Sequence, residues 1–422
     1  MFPQARMFTL QHPALNLLMR FWLYFFLLLP AACTNTDKAA APPDPAAWPW
    51  PPIEATAKGS TVHVMMWQGD PLINRYMAEY VQPELKKRYG IELKIAPGQG
   101  TEIVKILLAE KEAGQTPGSI DLCWINGETF FQLRQIDALY GPFTQALPHA
   151  QYIDFENPFI GYDFQQKVDG YECPWGNVQL ALIYDSLRTP APPRRLEALE
   201  QYVRAHPGTF TIPYEFTGMT LLKSWMIALA GNPAALDGPF DEEKYTRLSA
   251  KLWNWINRNK TYFWRQGKTF PESLAAMHQM FANGELDFTM SNNDSEVDNK
   301  ILQRIFPPTA RAYVFDSGTI RNTHFLGIPS GAANKAGAMA AINFLISPEA
   351  QLRKMQPDVW GDGTVLATAK LPAEWRARFE AVPGRRHAPG RDALQEKALR
   401  EPAPEYMIRL YRDFRSRVLE RQ

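Results

Sequence analysis

Residues 323–351, THFLGIPSGAANKAGAMAAINFLISPEAQ, carry the pattern from which the fold is predicted. The apolar run Phe325 to Ile328 has the length of a buried strand, and the turn residues 329–331 end it. Asn334 can cap the helix that follows, and Pro348 can open a second helix where its missing N–H is harmless. The stretch therefore predicts a strand, a tight turn and two consecutive helices.

Length and composition indicate a globular protein of ordinary kind. The 422 residues suffice for two domains of about 100–200 residues each. Hydrophobic residues make up 45% and charged residues 21%, and the net charge of +1 gives no electrostatic footprint for nucleic acid. The three cysteines exclude a disulfide framework, although a single Cys123–Cys173 bond remains open in an oxidising compartment.

The amino-terminal region, residues 1–32, is typical of an export signal. Its apolar core, Phe21 to Leu29, is too short to span a bilayer comfortably. The residues before Cys33, Leu-Pro-Ala-Ala, resemble a bacterial lipobox, which implies lipidation of Cys33. Ordinary cleavage after Ala32 and an uncleaved membrane anchor are the alternatives. Residues 33–59 have few large aliphatic side chains, which predicts a lipid-attached linker.

The next part of the chain alternates between strand and helix patterns. Strands are predicted at Thr61–Trp67, Ile91–Ala96 and Ile120–Ile125, with amphipathic helices between them. This order predicts a parallel sheet covered on both faces, where ligands lie beyond the carboxyl ends of the strands. The candidate binding residues at those ends are Trp67, Asp70, Asn126 and Glu128.

Three later segments also place polar and aromatic residues beside predicted strands. The run Tyr171–Asp185 is long and extended, Phe210–Ile212 is a predicted strand that turns into a helix, and Leu286–Met290 is a strand with a polar turn after it. A strand-to-helix turn with free N–H groups can form a ligand wall. The candidate binding residues here are Trp175, Asn177, Tyr214, Phe216, Asn292, Asn293 and Asp294.

Motifs for catalysis, cofactors or metals are not recognised in the sequence. Gly267-Lys268-Thr269 is half of a phosphate-binding loop, but Tyr262 stands where the first glycine is required. Thr269 with Glu272 is better explained as a capping box for the next helix. The nucleophile elbow and zinc-protease motifs do not occur, and the seven histidines are scattered. We therefore predict no enzyme activity, no catalytic residue, no cofactor and no metal site.

The stretch 323–351, the extended run 171–185 and the order of helix, Gly284, strand and polar turn resemble bacterial extracellular solute-binding proteins of family 1. These are the ligand receptors of ABC importers. The resemblance implies an α/β, two-lobed periplasmic-binding-protein fold of type II, in which each lobe is a mainly parallel sheet flanked by helices. Residues 60–180 and 312–332 would form lobe 1, and residues 181–311 and 333–422 lobe 2.

The resemblance also implies a function. Such a receptor captures a small molecule in the interlobe cleft and delivers it to a membrane permease with a separate ATPase subunit. It works in the periplasm, and we expect a monomer. The chain is most similar to the YnjB-type receptors, which are grouped with thiamine, iron and polyamine binders. The iron subgroup offers adjacent tyrosines, whereas Tyr214 is followed by Glu215.

A cationic heteroaromatic solute such as thiamine would suit the candidate residues best, since aromatic faces and carboxylates both attract cations. Those residues are Trp67, Trp175, Tyr214, Phe216, Asp70, Glu128 and Asp294. The alternatives are a polyamine, iron or sugar receptor of the same fold, an exported carbohydrate-active hydrolase with paired carboxylates, and a structural envelope lipoprotein that has no cleft.

Overall fold

A computed structural model describes residues 44–420 of the chain. The predicted export signal, residues 1–32, and Cys33 lie outside the described residues. Within residues 44–420, the helices are all too short or too polar to cross a membrane. The thiols of Cys123 and Cys173 are buried and are not bonded to each other.

The described residues form a mixed α/β structure. Its strands are β1 Thr61–Met66, β2 Glu92–Pro97, β3 Leu122–Ile125, β4 Tyr162–Asp163, β5 Gln166–Lys167, β6 Glu172–Gln179, β7 Ala181–Asp185, β8 Phe288–Ser291, β9 Ala310–Tyr313, β10 Thr319–Gly327 and β11 Ala398–Leu399. Its α-helices are α1 Trp50–Ala57, α2 Pro71–Tyr76, α3 Gln82–Tyr89, α4 Gly100–Glu112, α5 Gly127–Gln135, α6 Leu196–Ala205, α7 Phe216–Ala230, α8 Glu242–Asn259, α9 Leu274–Ala282, α10 Glu296–Leu302, α11 Lys335–Leu345, α12 Pro348–Met355, α13 Ala373–Glu380, α14 Arg391–Gln395 and α15 Pro404–Phe414.

The larger sheet has the order β11-β10-β3-β1-β2, with β6 also paired to β10. Strand β1 is parallel to both β2 and β3, as the alternating strand and helix patterns predict. Strand β10 runs antiparallel to β3 and to β6. The carboxyl ends of β1 and β3 therefore lie at the same edge of the sheet, which is where ligands bind in folds of this kind.

The smaller sheet consists of β7 between β8 and β9, and both pairs are antiparallel. The expectation of a mainly parallel sheet in the second lobe is therefore wrong for these strands. The physical reason is that β7 enters directly from β6, while β9 leads back to β10, so the two strands must run in opposite directions. Phe210–Ile212, a predicted strand, is buried but belongs to no sheet, and the carbonyl of Phe210 accepts a hydrogen bond from Trp264 N–H.

Two main hydrophobic cores accompany the two sheets. The first core contains the apolar residues of β1 and the buried helix α11, and extends along the chain to Phe379. This differs from the predicted division, which placed residues 333–422 in the second lobe. Helix α11 joins the first core because nearly every side chain along it is buried. The second core is built on α7, α8 and α15 and takes in the chain from Leu399 to Val418.

Part of the predicted linker is a helix. Residues 50–57 form α1, whose Ile53 and Ala57 are fully buried in the first core. The proline-rich composition is compatible with this, because prolines are tolerated in the first turn of a helix, where the N–H groups have no helical partner.

Candidate functional site

The carboxyl end of β1 places Trp67 and Asp70 at the edge of the larger sheet. Asp70 caps α2, because its Oδ1 accepts hydrogen bonds from the N–H groups of Leu72 at 2.7 Å and Ile73 at 3.2 Å. Its Oδ2 lies 3.3 Å from Nζ of Lys300, which belongs to α10 beside the smaller sheet. Asp70 therefore connects the two lobes through a buried ion pair and already has its partners.

Trp67 is the exposed end of an aromatic cluster, which consists of Trp67, Trp124, Trp175, His324 and Trp360. The Trp67 ring is 37% exposed and meets Trp124 edge-on, with 6.4 Å between ring centroids. Trp124 in turn contacts Trp175 at 5.1 Å and His324 at 4.9 Å. Trp175 is only 1% exposed, and its Nε1 is buried without a hydrogen-bond partner. Trp67 is thus the member of the cluster that can reach a ligand directly.

The carboxyl end of β3 supplies Asn126 and Glu128, which begin α5. Asn126 stands at the N-cap position, but its side chain makes no capping hydrogen bond. Oε2 of Glu128 is buried and has no hydrogen-bond partner. Burial raises the pKa of Glu128 to about 7, although nearby Lys223 opposes the rise. Of the predicted carboxylates, Glu128 is the one that retains an unpaired oxygen.

Tyr214 and Phe216 lie at the start of α7. Glu215 caps this helix by accepting hydrogen bonds from the N–H groups of Thr217 and Gly218. The ring of Tyr214 stacks on Phe414 of the second core, with 5.5 Å between centroids. Phe216 lies 6.4 Å from Phe164, and Nζ of Lys223 lies 4.2 Å from the Phe164 ring.

Tyr214 and Trp175 therefore pack against different cores. A cavity beside β4 and β10 is lined by residues other than these two, namely Pro158, Phe159, Tyr162, Asp163, Phe164, Gln165, Arg321, Asn322, Thr323, Arg400 and Glu401.

The polar turn after β8 meets residues of the first core. Asn292 donates a hydrogen bond from Nδ2 to Thr217 Oγ1 at 3.3 Å, while its buried Oδ1 has no partner. Asn293 lies 3.5 Å from the carbonyl oxygen of Trp360, and Asn299 donates to the same carbonyl at 2.7 Å. The residues of this turn and of α10 therefore contact both α7 of the second core and Trp360 of the first.

Asn177 and Asp294 lie beside the strands that cross between the lobes. Asn177 donates from Nδ2 to Thr323 Oγ1 at 2.7 Å, and its Oδ1 accepts from Nε of Arg321. Asp294 accepts from the N–H of Gln179 at 3.3 Å and forms a buried ion pair with Arg385. Both predicted residues are thus in contact with arginines that sequence reasoning missed.

The residues missed by sequence reasoning come mainly from the segment after α12. Asp362 is fully buried and lies 2.5 Å from Nζ of Lys354 and 3.1 Å from Nε2 of His324. Burial alone would raise the pKa of Asp362, but the contacts with Lys354 and His324 outweigh it and lower the pKa. Arg391 donates from Nη2 to the Gly361 carbonyl at 2.8 Å. The sequence signal for this group was the basic run Arg385-Arg386-His387 in a Gly- and Pro-rich loop.

The described residues contain no group of three or more His, Cys, Asp or Glu side chains that could hold a metal ion. The carboxylates that meet at the strand ends are instead engaged by Lys300, Lys354 and Arg385. Asp70, Asp362 and Asp294 therefore already have cationic partners within the protein.

Comparisons with known proteins agree with this description. A family model described as bacterial extracellular solute-binding protein matches residues 80–381. Protein YnjB of Escherichia coli (strain K12) is 39% identical over 336 residues, which cover 79% of this chain and 86% of that protein. These two matches confirm the resemblance predicted from residues 323–351 and from the order of elements before them.

Solved structures share the fold at low sequence identity. The TpPotD lipoprotein of Treponema pallidum has a TM-score of 0.63 at 12% identity, over 86% of this chain and 100% of that one. The periplasmic binding protein AfuA of Actinobacillus pleuropneumoniae, solved with exogenous fructose-6-phosphate bound, has a TM-score of 0.60 at 13% identity, over 85% and 98% of the two chains. The α/β, two-lobed type II fold is thereby confirmed.

Proposed function

Because the chain belongs to the bacterial extracellular solute-binding protein family, we propose that it captures one small solute between its two lobes and releases it to a membrane permease. Membership makes it a receptor of an ABC importer, with a small-molecule ligand, a permease partner and a periplasmic location. Members of this family bind their solutes without chemical change. We therefore propose that the protein is a receptor and not an enzyme.

The observation that carries the proposal is a set of unpartnered buried atoms at the strand ends. They are Oε2 of Glu128 after β3, Oδ1 of Asn292 after β8 and Nη2 of Arg385 beside Asp294. A buried polar atom without a partner costs about 1–3 kcal/mol. A solute that supplies a missing partner to one of these atoms would therefore be favoured by that contact.

Entry of the solute requires the lobes to separate. Strands β6 and β7 are joined by the single residue Leu180, and β9 leads into β10 through residues 314–318. Bending at these connections would break the contacts between lobes, of which the Asp70–Lys300 ion pair and the Asn299 hydrogen bond to Trp360 are examples. Solute binding would then favour the conformation in which these contacts are made.

We propose that the solute is a cationic heteroaromatic molecule such as thiamine and that Glu128 pairs with its positive charge. Asp70 and Asp294 are paired with Lys300 and Arg385, so they are less available to a cation. Glu128 keeps one unpaired oxygen, and the rings of Trp67 and Phe216 are not fully buried, whereas Phe164 is buried beneath Lys223. A flat cationic ring could pair with Glu128 and stack on an aromatic face.

Isothermal titration calorimetry with thiamine tests this hypothesis on protein that was unfolded, freed of bound solute and refolded. We expect one thiamine per chain, and a loss of affinity of at least about tenfold in Glu128→Gln, since a charge-assisted contact is removed. Glu243→Gln, on the exposed start of α8, is the matched control and should bind like the wild type. If thiamine produces no binding heat and no thermal shift with the wild type, the thiamine hypothesis is excluded.

We also propose that Cys33 is lipidated and tethers the receptor to the membrane. The support is the sequence Leu29-Pro30-Ala31-Ala32-Cys33 directly after an apolar signal core. Labelling with a radioactive or alkyne fatty acid in the host tests this. Incorporation into the wild type but not into Cys33→Ala is expected, and an unlabelled wild type that starts at residue 33 would instead establish ordinary cleavage.

A further inference from the structure

Three arginines and one lysine come together at the strand ends without enough carboxylates to balance them. We call them the cationic cluster: Arg321 of β10, Lys354 of α12, Arg385 in the loop after α13, and Arg391 at the start of α14. Their contacts converge on neighbouring backbone. Arg321 donates to Asn177, whose N–H donates to the Gly363 carbonyl oxygen at 3.2 Å, and that oxygen also accepts from Nζ of Lys354 at 2.7 Å. Arg391 donates to the carbonyl of Gly361, and Arg385 pairs with Asp294, which accepts from the N–H of Gln179 on the same strand as Asn177.

The contacts of the cluster account for only part of its charge. Arg385 pairs with Asp294, and Lys354 pairs with Asp362 at 2.5 Å. Arg391 donates to the Gly361 carbonyl at 2.8 Å, and Arg321 donates to the amide oxygen of Asn177. The last two partners are uncharged.

Within the described residues, four cationic groups thus face two carboxylates in direct contact. A further carboxylate of the same region, Asp298, is already used by the N–H groups of Arg386 and His387 and by Nδ1 of His387.

The surplus positive charge of the cationic cluster is buried. The side chain of Arg385 is 6% exposed, and its Nη2 has no hydrogen-bond partner. Burial, followed by the charge of Arg391, lowers the pKa of Arg385 to about 9 and that of Arg321 to about 10. Because a guanidinium keeps its proton in proteins, the folded protein retains the cost of burying these positive charges close together. A purely structural ion network would be expected to balance its charges, because unpaired buried charge is strongly destabilising.

The location of the cluster connects it with the solute. Asp294 follows the carboxyl end of β8, and Asn177 and Arg321 lie on the paired strands β6 and β10 that lead towards the smaller sheet. The cluster is therefore next to the polar turn that lies between the lobes.

We propose that Arg385 and Arg391, supported by Arg321, form a subsite for an anionic group, a phosphate or a carboxylate, of the captured solute. The inference rests on the proposed receptor function and adds the charge of one end of its solute. A guanidinium presents two parallel N–H donors that match both oxyanions, and the anion would offset the surplus positive charge. Thiamine itself has no anionic group, so this inference predicts a solute that carries one in addition to its cationic ring. Such a solute would use Glu128 and this subsite together.

The test measures thermal unfolding of the full mature chain, refolded free of solute, in sodium phosphate and in sodium acetate, with ionic strength matched by sodium chloride. The wild type is compared with Arg385→Gln, Arg391→Gln and the control Arg386→Gln, an exposed neighbour of Arg385. At about one hundred times the dissociation constant, binding should raise Tm by about 3 °C for a chain of this size. The acetate arm distinguishes a carboxylate site from a phosphate site.

We expect at least one anion to raise Tm equally in the wild type and Arg386→Gln, and by less than about a third as much in Arg385→Gln and Arg391→Gln. Without anion, Arg391→Gln should unfold at the same Tm as the wild type or above it, because crowded positive charge is removed while an amide donor remains. A fall of several degrees would instead give Arg391 a structural role and overturn the proposal.

Two other outcomes also overturn the proposal. One is that neither anion shifts the wild type. The other is that both anions shift all four proteins equally, which would show adventitious surface ions only. Native mass spectrometry separates this inference from the receptor function: a bound solute without any anionic group would refute the anionic subsite while supporting the receptor.

Discussion

The buried carboxylate of Glu296 gives a stability prediction that can be worked from the structure. Its Oε1 lies 3.0 Å from Nζ of Lys300 and 3.5 Å from Nε2 of His278, and the three side chains are 7–8% exposed. Burial alone would raise the pKa of Glu296, but the contacts with His278 and Lys300 outweigh it and lower the pKa from 4.5 to about 2. Because Lys300 also pairs with Asp70, this network connects the second lobe to the first.

The direction of the pH effect follows from that lowered pKa. Glu296 contributes stability at every pH above 4.5, and the contribution is lost as the pH falls towards 2. The difference between 4.5 and about 2 corresponds to about 3 kcal/mol of unfolding free energy at pH 7 and to about 1 kcal/mol at pH 3. Glu296→Gln should therefore lose about 3 kcal/mol at pH 7 and much less at pH 3.

Urea denaturation followed by circular dichroism at both pH values measures this loss. Glu243→Gln, on the exposed start of α8, is the control and should change the unfolding free energy by less than about 0.5 kcal/mol at either pH. If Glu296→Gln were equally destabilised at pH 7 and pH 3, the loss would come from packing rather than from charge, and the reasoning would fail.

Three further predictions concern buried groups. Lys354→Met should destabilise the protein by about 3–5 kcal/mol in urea denaturation, since it leaves the Asp362 carboxylate buried without its main partner, and the double variant with Asp362→Asn should recover part of that loss; no recovery would contradict the pairing. Gly363→Ala should lower Tm by several degrees, because a Cβ there would lie 2.1 Å from the Asn177 carbonyl oxygen, and an unchanged Tm would be inconsistent with that contact. Cys123 and Cys173 should react with Ellman's reagent only after unfolding, since both thiols are buried, so rapid reaction of the native protein would refute their burial.

Local features of the fold were predictable from the sequence because they depend on neighbouring residues. Asn334 caps α11 by accepting from Gly337 N–H at 2.8 Å, and Ser347 with Pro348 opens α12. Gly90 ends α3 with a left-handed φ of 67°. Each depends on one residue type in one backbone conformation, which the sequence specifies directly.

The predicted capping box of Thr269 and Glu272 did not form. Ser273 caps α9 instead, accepting from Ala276 N–H at 3.2 Å. Pro271 favours this later start, because the residue before a proline is disfavoured in helical conformation, and Ser273 offers a cap just beyond it. Here a competing local rule decided the boundary.

The long-range contacts of the candidate site could not be predicted from the sequence. Arg385 lies in a loop and Arg391 begins the short helix α14, and their positions depend on contacts with Asp294 and Gly361, which are distant along the chain. Trp175 was predicted from its place near the cleft, but its burial depends on how Trp124 and Trp360 pack around it. Such contacts follow from tertiary packing and carry no local signal.

The central claim, that the two lobes hold a small solute between them, is tested most directly by native mass spectrometry of the protein purified from its host. The account predicts a mass excess of one small molecule per chain, which disappears on unfolding and returns when the released fraction is added back. A chain whose native and unfolded masses are identical, and which stays so after incubation with a periplasmic extract, would contradict it.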